Sequence, residues 1–216
     1  MPDPYFSEPG GALFCGDCRE ILPMLDIGPF AVVTDPPYGI AHASGHGASW
    51  QNTEIAGDGD TSARDWVIEW GGQAPMAIFG SWKRPRPVGT RAVLIWDKGP
   101  AFGMGDLSFP WKPSWEEIYI LGDGWVGRRD EGVLRGDLVV SWESRGRVHP
   151  NQKPVSLMGR LIAKLPKELT IVDPFCGSGA TLRAAKDRGY RYVGIEVRET
   201  YCRRTVDSLR QEVFAF

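Results

Sequence analysis

The chain is poor in the residues that build metal sites and disulfide frameworks. It holds 4 cysteines and 3 histidines in 216 residues. Cys15 and Cys18 have CxxC spacing, but no second CxxC and no matching histidine pair completes a zinc set. His42 and His46 stand in a glycine-rich stretch and His149 precedes a proline, so loop polarity is expected of them and no metal. With Cys176 and Cys202, the cysteines read as ordinary cytosolic thiols. Long apolar runs are missing too: none approaches the roughly 20 residues of a membrane span. Met1-Pro2-Asp3-Pro4 has neither the basic flank nor the apolar core of a secretory signal. The expectation is a soluble, intracellular chain with no membrane partner. Nor is there an excess of positive charge. The formal net charge of −2 argues against a histone-like binder. It leaves nucleic acid open, because binding needs a local basic patch and not a basic average.

What is present is a sizeable apolar fraction, 42% of the chain, enough for one core in one domain spanning 1–216. Seven short apolar runs read as core strands: Ala12–Cys15, Ala31–Thr34, Met76–Gly80, Ala92–Trp96, Glu117–Leu121, Thr170–Val172 and Tyr190–Ile195. Helical patterns cover Cys18–Leu25, Ser62–Trp70, Pro154–Leu165, Thr181–Arg188 and Thr200–Glu212. Leu138–Val140 reads as a further short strand. Strands alternating with helices predict an α/β fold on a largely parallel sheet. Residues 39–60 have no periodicity and read as a long mobile loop, a length that in compact domains is often functional.

Two strand ends carry the chemistry. The run Ala31-Val32-Val33-Thr34 ends in Asp35-Pro36-Pro37-Tyr38. The prolines donate no N–H and fix φ, so they stop the ladder and leave a rigid exit with a carboxylate before it and a ring after it. An acceptor for an amino group beside a face to stack on suits a flat, nitrogen-bearing ring. The second end is Asp173-Pro174-Phe175-Cys176-Gly177-Ser178-Gly179, a glycine turn that opens a helix. Glu196 closes the next strand, where an acidic residue commonly accepts from a ribose diol; a plain surface glutamate is the alternative. No Gly-Lys-Ser/Thr follows the turn, which excludes a P-loop, and Leu182 replaces the third glycine of a dinucleotide fingerprint. A nucleoside cofactor without pyrophosphate fits, and an oxidoreductase does not.

In these residues the chain resembles the S-adenosylmethionine-dependent DNA amino-methyltransferases of the permuted β group, which modify adenine N6 or cytosine N4. The resemblance rests on the order Asp35-Pro36-Pro37-Tyr38, then His149-Pro150-Asn151-Gln152-Lys153-Pro154, then Asp173–Gly179, with Gly16-Asp17-Cys18 ahead of all three. It covers nearly the whole chain outside the middle. It implies a single Rossmann-like methyltransferase domain with a seven-stranded, mostly parallel sheet. In that sheet Tyr190–Ile195 would lie beside Ala12–Cys15, and one strand, Glu117–Leu121, would run antiparallel. Catalytic motif before cofactor motif favours DNA over ribosomal RNA, and the Asp of the catalytic motif favours adenine over cytosine.

The resemblance also implies roles. Asp35 and the Pro36 carbonyl would accept from the target amino group, Pro37 would shape the turn, and Tyr38 would stack on a flipped base. Phe175, Gly177 and Gly179 would form the cofactor floor, with Asp173 at the methionine amino group and Asn151 and Lys153 near its carboxylate. For Lys153 a solvated helix-start lysine is the alternative. Asp17 either contacts the cofactor adenine or caps the helix that follows it. Lys83, Arg84, Arg86, Arg128, Arg129 and Arg147 are candidate phosphate contacts, each with solvated surface charge as its alternative. Residues 98–148 would be a short target-recognition region, which implies a short or relaxed target or help from a second subunit; a homodimer stays open. By family analogy the protein would be cytoplasmic, in a bacterium or encoded by a phage. A regulator with a decayed catalytic site is the reading from another class, and the intact Asp35, Tyr38, Gly177, Gly179 and Glu196 argue against it.

Overall fold

The computed structural model describes residues 2–38, 59–99, 108, 110–112, 114–136 and 153–211. The expected loop 39–60 lies outside these residues except at its last two positions. The three histidines, Asn151, Arg147 and the strand expected at Leu138–Val140 also lie outside them.

All seven expected strands form, and two more join them at the edges. Among the described residues the sheet has nine strands in the order β1-β2-β9-β8-β3-β4-β6-β5-β7. They are β1 Phe6–Glu8, β2 Gly11–Cys15, β3 Phe30–Thr34, β4 Met76–Gly80, β5 Ala92–Asp97, β6 Trp115–Leu121, β7 Val133–Leu134, β8 Thr170–Asp173 and β9 Tyr192–Glu196. The sequence expectation of seven is corrected to nine by β1 and β7. Neither has an apolar alternation of its own. β1 forms an antiparallel hairpin with β2, and Glu8 ties it down by accepting from Tyr192 Oη at 2.5 Å and Lys186 Nζ at 2.7 Å. β7 lies parallel to β5. β6 runs antiparallel between β4 and β5, as expected, and β9 lies parallel to β2.

The helices are α1 Cys18–Ile21, α2 Ser62–Gly71, α3 Val155–Ile162, α4 Ala180–Asp187 and α5 Glu199–Arg210. Their apolar stripes divide them between the two faces of the sheet. Leu157, Met158, Leu161 and Ile162 of α3, Leu182 and Ala185 of α4, and Val206 and Leu209 of α5 pack on one face. Cys18 and Ile21 of α1 and Val67 of α2 pack on the other. With both faces covered, β3 and β8 are buried runs and not alternating ones.

This layout fixes where a site can form. β3 and β8 are adjacent and parallel. From β3 the chain crosses through α2 to β4, and from β8 it crosses through α4 to β9, on opposite faces and in opposite directions along the sheet. The two connections therefore part at the carboxyl ends of β3 and β8 and open a crevice there, the usual ligand position in doubly wound sheets. Both motifs found in the sequence sit at those two strand ends.

β6 and β7 both fall within 98–148. The stretch expected to read DNA thus also supplies part of the core sheet. No helix of the described residues is long and apolar enough to cross a membrane.

Candidate active site

Strand alternation builds the first half of the site. Asp35 follows β3 on the side of Val33, Phe79 stands on β4, and Glu116 on β6 faces the same side as Ile118, so all three look toward α3. Lys153, just before α3, drops its ammonium into this row. Its Nζ lies 2.6 Å from Asp35 Oδ2 and 3.1 Å from Glu116 Oε2, 5.0 Å from the Phe79 ring centroid and 5.6 Å from that of Tyr38. The Tyr38 hydroxyl lies 2.7 Å from Asp35 Oδ1 and 3.1 Å from Glu116 Oε2. Lys98 pairs with the other oxygen of Glu116, Oε1. Two carboxylates, two ammoniums and one phenol thus form a single connected cluster.

The cluster sets its own protonation. Burial pushes the Asp35 carboxyl up, the Glu116 charge pushes the same way, and the Lys153 ammonium opposes both. Burial would also raise Glu116, but the Lys153 and Lys98 ammoniums outweigh it and hold it below the ordinary range. Burial would lower Lys153, and the two carboxylates more than reverse that, so it stays charged. The Tyr38 phenol is held well up by burial and by Asp35, so it acts as a hydroxyl donor.

The second half lies one strand over. Asp173 ends β8, is 3% exposed, and accepts at Oδ1 from Thr34 Oγ1 at 2.6 Å and from the Phe175 N–H at 3.1 Å. Burial raises its carboxyl to about 6 against these hydrogen bonds. Thr181 also favours its ionised form, yet Thr181 Oγ1 is, among the described residues, the buried side-chain polar atom with no partner in hydrogen-bond geometry. Glu196 ends β9 and accepts from the N–H groups of Gly177 at 3.0 Å and Arg198 at 2.8 Å. Burial raises its carboxyl, and those N–H groups counter the rise. Gly177 has φ +52°, and a Cβ placed there would meet nothing nearer than 4.0 Å, so it faces open space.

The expected site residues therefore separate. Asp35, Pro36, Pro37, Tyr38, Asp173, Phe175, Gly177, Gly179 and Glu196 share one crevice at the carboxyl ends of β3, β8 and β9. Lys153 joins them, but against Asp35 and not as a solvated lysine. Asp17 caps α1 by accepting from the Arg19 N–H at 2.8 Å and also pairs with the Arg19 guanidinium. Arg86 turns to the buried Glu117, 2.7 Å away, on the sheet face opposite Glu116. Lys83 is exposed, as are Arg128 and Arg129. Sequence reasoning missed Glu116, Lys98 and Thr34. The available signal for the first was the pair Glu116-Glu117 opening an apolar strand, since alternation must turn one of two consecutive residues toward each face.

Comparison with known proteins bears on what this crevice is for. A family model described as DNA methylase, of the N6 and N4 methyltransferases, matches residues 113–207. The putative methylase YubD of Escherichia coli (strain K12) is 30% identical over 211 residues, spanning 87% of this chain and 85% of that protein. The chain belongs to the DNA methylase family. The type II methyltransferase M2.DpnII of Streptococcus pneumoniae is 40% identical over 76 residues, which span 35% of this chain and 28% of that protein. Among solved structures, the M1.HpyAVI–SAM complex superposes with a TM-score of 0.66 at 18% identity, covering 93% of this chain and 100% of that one. The cytosine-N4-specific PvuII DNA methyltransferase superposes with a TM-score of 0.68 at 13% identity, covering 98% and 90%. At these identities the structural likeness is one of fold. The two strand-end motifs thus stand in a chain of the DNA methylase family, and the family model spans the second of them. Among the described residues, no group of three or more His, Cys, Asp or Glu could hold a metal ion.

Proposed function

We propose that the chain moves a methyl group from S-adenosylmethionine to the exocyclic amino group of a DNA base, adenine N6 in preference to cytosine N4. The observation that carries this reading is the adjacency of Asp35 and Asp173 at the ends of two neighbouring parallel strands, where Thr34, the residue before Asp35, donates its hydroxyl to Asp173. A donor site and an acceptor site side by side are what a direct transfer needs.

The residues around Asp173 suit the donor. Asp173 would meet its ammonium, and Glu196 its ribose hydroxyls. The open space before Gly177 would take its body, and the unpartnered Thr181 hydroxyl offers one more polar contact. When bound, S-adenosylmethionine supplies an electrophilic methyl group.

The acceptor amine is a poor nucleophile, because its lone pair is delocalised into the ring. Asp35 and the Pro36 carbonyl would accept its two N–H groups, favour a more tetrahedral nitrogen and stabilise the positive charge that develops on it. Asp35 must be ionised to do this. Lys153 opposes the burial that would neutralise it. The proton leaves after transfer from a cationic nitrogen, so no strong base is needed beforehand. Tyr38 would lie against the flipped base.

The face around the crevice is suited to DNA. β4 ends beside β3, and Ser81-Trp82-Lys83-Arg84 follows it directly. Trp82 is 58% exposed, with the Lys83 ammonium 5.9 Å from its ring. Basic and aromatic residues interleaved beside a base pocket are typical of nucleic-acid contacts. Residues 39–60 and 98–148 complete the proposed DNA-contact part of a single domain, 1–216. Arg86 pairs with the buried Glu117 and still keeps 58% of its side chain exposed for a phosphate contact.

The test is incubation with labelled S-adenosylmethionine and DNA, then nucleoside digestion and mass spectrometry. N6-methyladenine is expected, and N4-methylcytosine would move the assignment to the other base. Asp35→Ala should abolish transfer and leave cofactor affinity nearly intact. No transfer to any DNA, with cofactor bound, would refute the reading.

A further inference from the structure

Asp35, the acceptor on which the proposed transfer depends, already carries two donors. Oδ1 lies 2.7 Å from the Tyr38 hydroxyl and Oδ2 lies 2.6 Å from Lys153 Nζ. An incoming amino group must share or displace them. A buried ammonium or hydroxyl that loses its acceptor bears the full cost of desolvation. Something must receive both donors if the exchange is to be cheap.

Glu116 Oε2 stands 3.1 Å from the Tyr38 hydroxyl and 3.1 Å from Lys153 Nζ. A phenol has one proton and donates to one carboxylate at a time, so Tyr38 between Asp35 and Glu116 is a two-position donor. Lys98 holds the other oxygen of Glu116 and leaves Oε2 aimed at the pair. Each donor needs to move only a few tenths of an ångström to change its main partner.

We propose that Glu116 is a positioning residue for the transfer, a second acceptor that takes over the Tyr38 hydroxyl and the Lys153 ammonium when a target amino group takes their places on Asp35. The role rests on the methyl-transfer reading of the site. It accounts for a carboxylate on the core-facing side of β6 that the donor site does not touch, and it makes Lys98 the group that orients that carboxylate.

The test compares the parent protein with Glu116→Ala and Glu116→Gln, using labelled S-adenosylmethionine and DNA, with cofactor affinity followed by calorimetry. Glu116→Ala leaves the displaced donors without a receiver, and a fall of about ten-fold or more in kcat is expected. Its cofactor Kd should stay within about three-fold of the parent value, since Glu116 makes no hydrogen bond or ion pair with Asp173, Gly177 or Glu196 and Asp35 still holds Lys153 in place. Glutamine keeps a carbonyl acceptor in nearly the same volume, so Glu116→Gln should recover much of the lost kcat. The acid limb of the kcat profile should move to lower pH in both variants. Of the titratable groups facing Asp35, Glu116 raises its carboxyl, Lys153 and the Tyr38 hydroxyl lower it, and the Asp173 charge lies one strand over; both variants remove only the first. A purely structural role would change melting temperature and cofactor affinity and leave that limb in place. The proposal is overturned if Glu116→Ala keeps kcat within about two-fold, if Glu116→Gln is no faster than Glu116→Ala, or if the acid limb stays put. A parent protein that methylates nothing would instead count against the methyl-transfer reading itself.

Discussion

Gly177 and Gly179 stand two residues apart in one turn, and the structure gives them different work. Both have left-handed backbones, with φ of +52° and +85°. An alanine at either position carries the left-handed penalty of about 1–2 kcal/mol. At Gly179 the new Cβ would also meet Thr205 Cγ2 at 2.7 Å, Oγ1 at 3.1 Å and Cβ at 3.2 Å. Thr205 is 0% exposed and donates its hydroxyl to the Gly177 carbonyl at 2.9 Å, so it cannot swing away without losing a bond. Overpacking of that kind adds about 1–3 kcal/mol. Gly179→Ala should therefore cost about 2–5 kcal/mol of folding stability. Gly177→Ala should cost only about 1–2 kcal/mol, since its Cβ meets nothing within 4.0 Å. That open space is where the donor would lie, so Gly177→Ala should weaken S-adenosylmethionine binding by about ten-fold or more, the effect of losing roughly 1.4 kcal/mol. Urea unfolding without ligand reads the first quantity and calorimetric titration the second. Adding Thr205→Ser to Gly179→Ala removes Cγ2, keeps the hydroxyl, and should return about 1 kcal/mol. Equal stability costs at the two glycines, or a larger one at Gly177, would refute the division of labour.

Asp173 should make the ligand-free protein more stable in mild acid. Its folded carboxyl, at about 6, lies above the ordinary 3.8, so the folded state binds the extra proton between those values; the stabilisation is full below 3.8 and is lost as pH rises through 6. Asp173→Asn should then raise the melting temperature at pH 8, by a stability gain of about 3 kcal/mol that vanishes below about pH 4, as thermal melts across pH would show. Lys153→Met removes the ammonium that lowers Asp35, so the acid limb of kcat should move to higher pH, opposite in sign to the Glu116 variants. The same change leaves two buried carboxylates facing each other, and denaturant melts should show a loss of about 3–5 kcal/mol. Lys83→Ala should weaken DNA binding uniformly across sequences and reduce the slope of log K against log salt by about 1, measured by fluorescence anisotropy.

How much of this was legible in the sequence depended on how local the signal was. The endings of β3 and β8 were readable because a proline pair and a glycine turn act on their own neighbours. The helices were readable because their apolar stripes repeat along one element. β1 was not, since Phe6-Ser7-Glu8 owes its place to Tyr192 and Lys186, far along the chain. Arg86 was indistinguishable from Lys83 and Arg84 in a basic run, because its partner Glu117 is buried on a distant strand. Glu116 and Glu117 look alike in sequence. Only the register of β6 against β4, with Gly80 opposite Glu117, sends the first toward Asp35 and the second toward Arg86.

Under the proposed function Lys153 would join the two halves of the site, and its hydrogen-bond inventory constrains how. An ammonium has three N–H groups. Here they face Asp35 Oδ2 at 2.6 Å, Glu116 Oε2 at 3.1 Å and Tyr38 Oη at 3.3 Å, so all three are committed. The family resemblance implies a contact between this lysine and the methionine carboxylate of the donor. Both can hold only if one present partner is released. The Tyr38 contact is the longest, and it is the only one of the three without a formal charge on the acceptor, so it is the one to yield. A lysine shared in this way would keep Asp35 ionised while reporting that the donor is in place. Under the proposed reaction, donor binding should then withdraw the Lys153 N–H from the Tyr38 oxygen before any base arrives, and leave the Tyr38 O–H on Asp35. Glu116 is already within reach of that hydroxyl when an arriving base displaces it from Asp35.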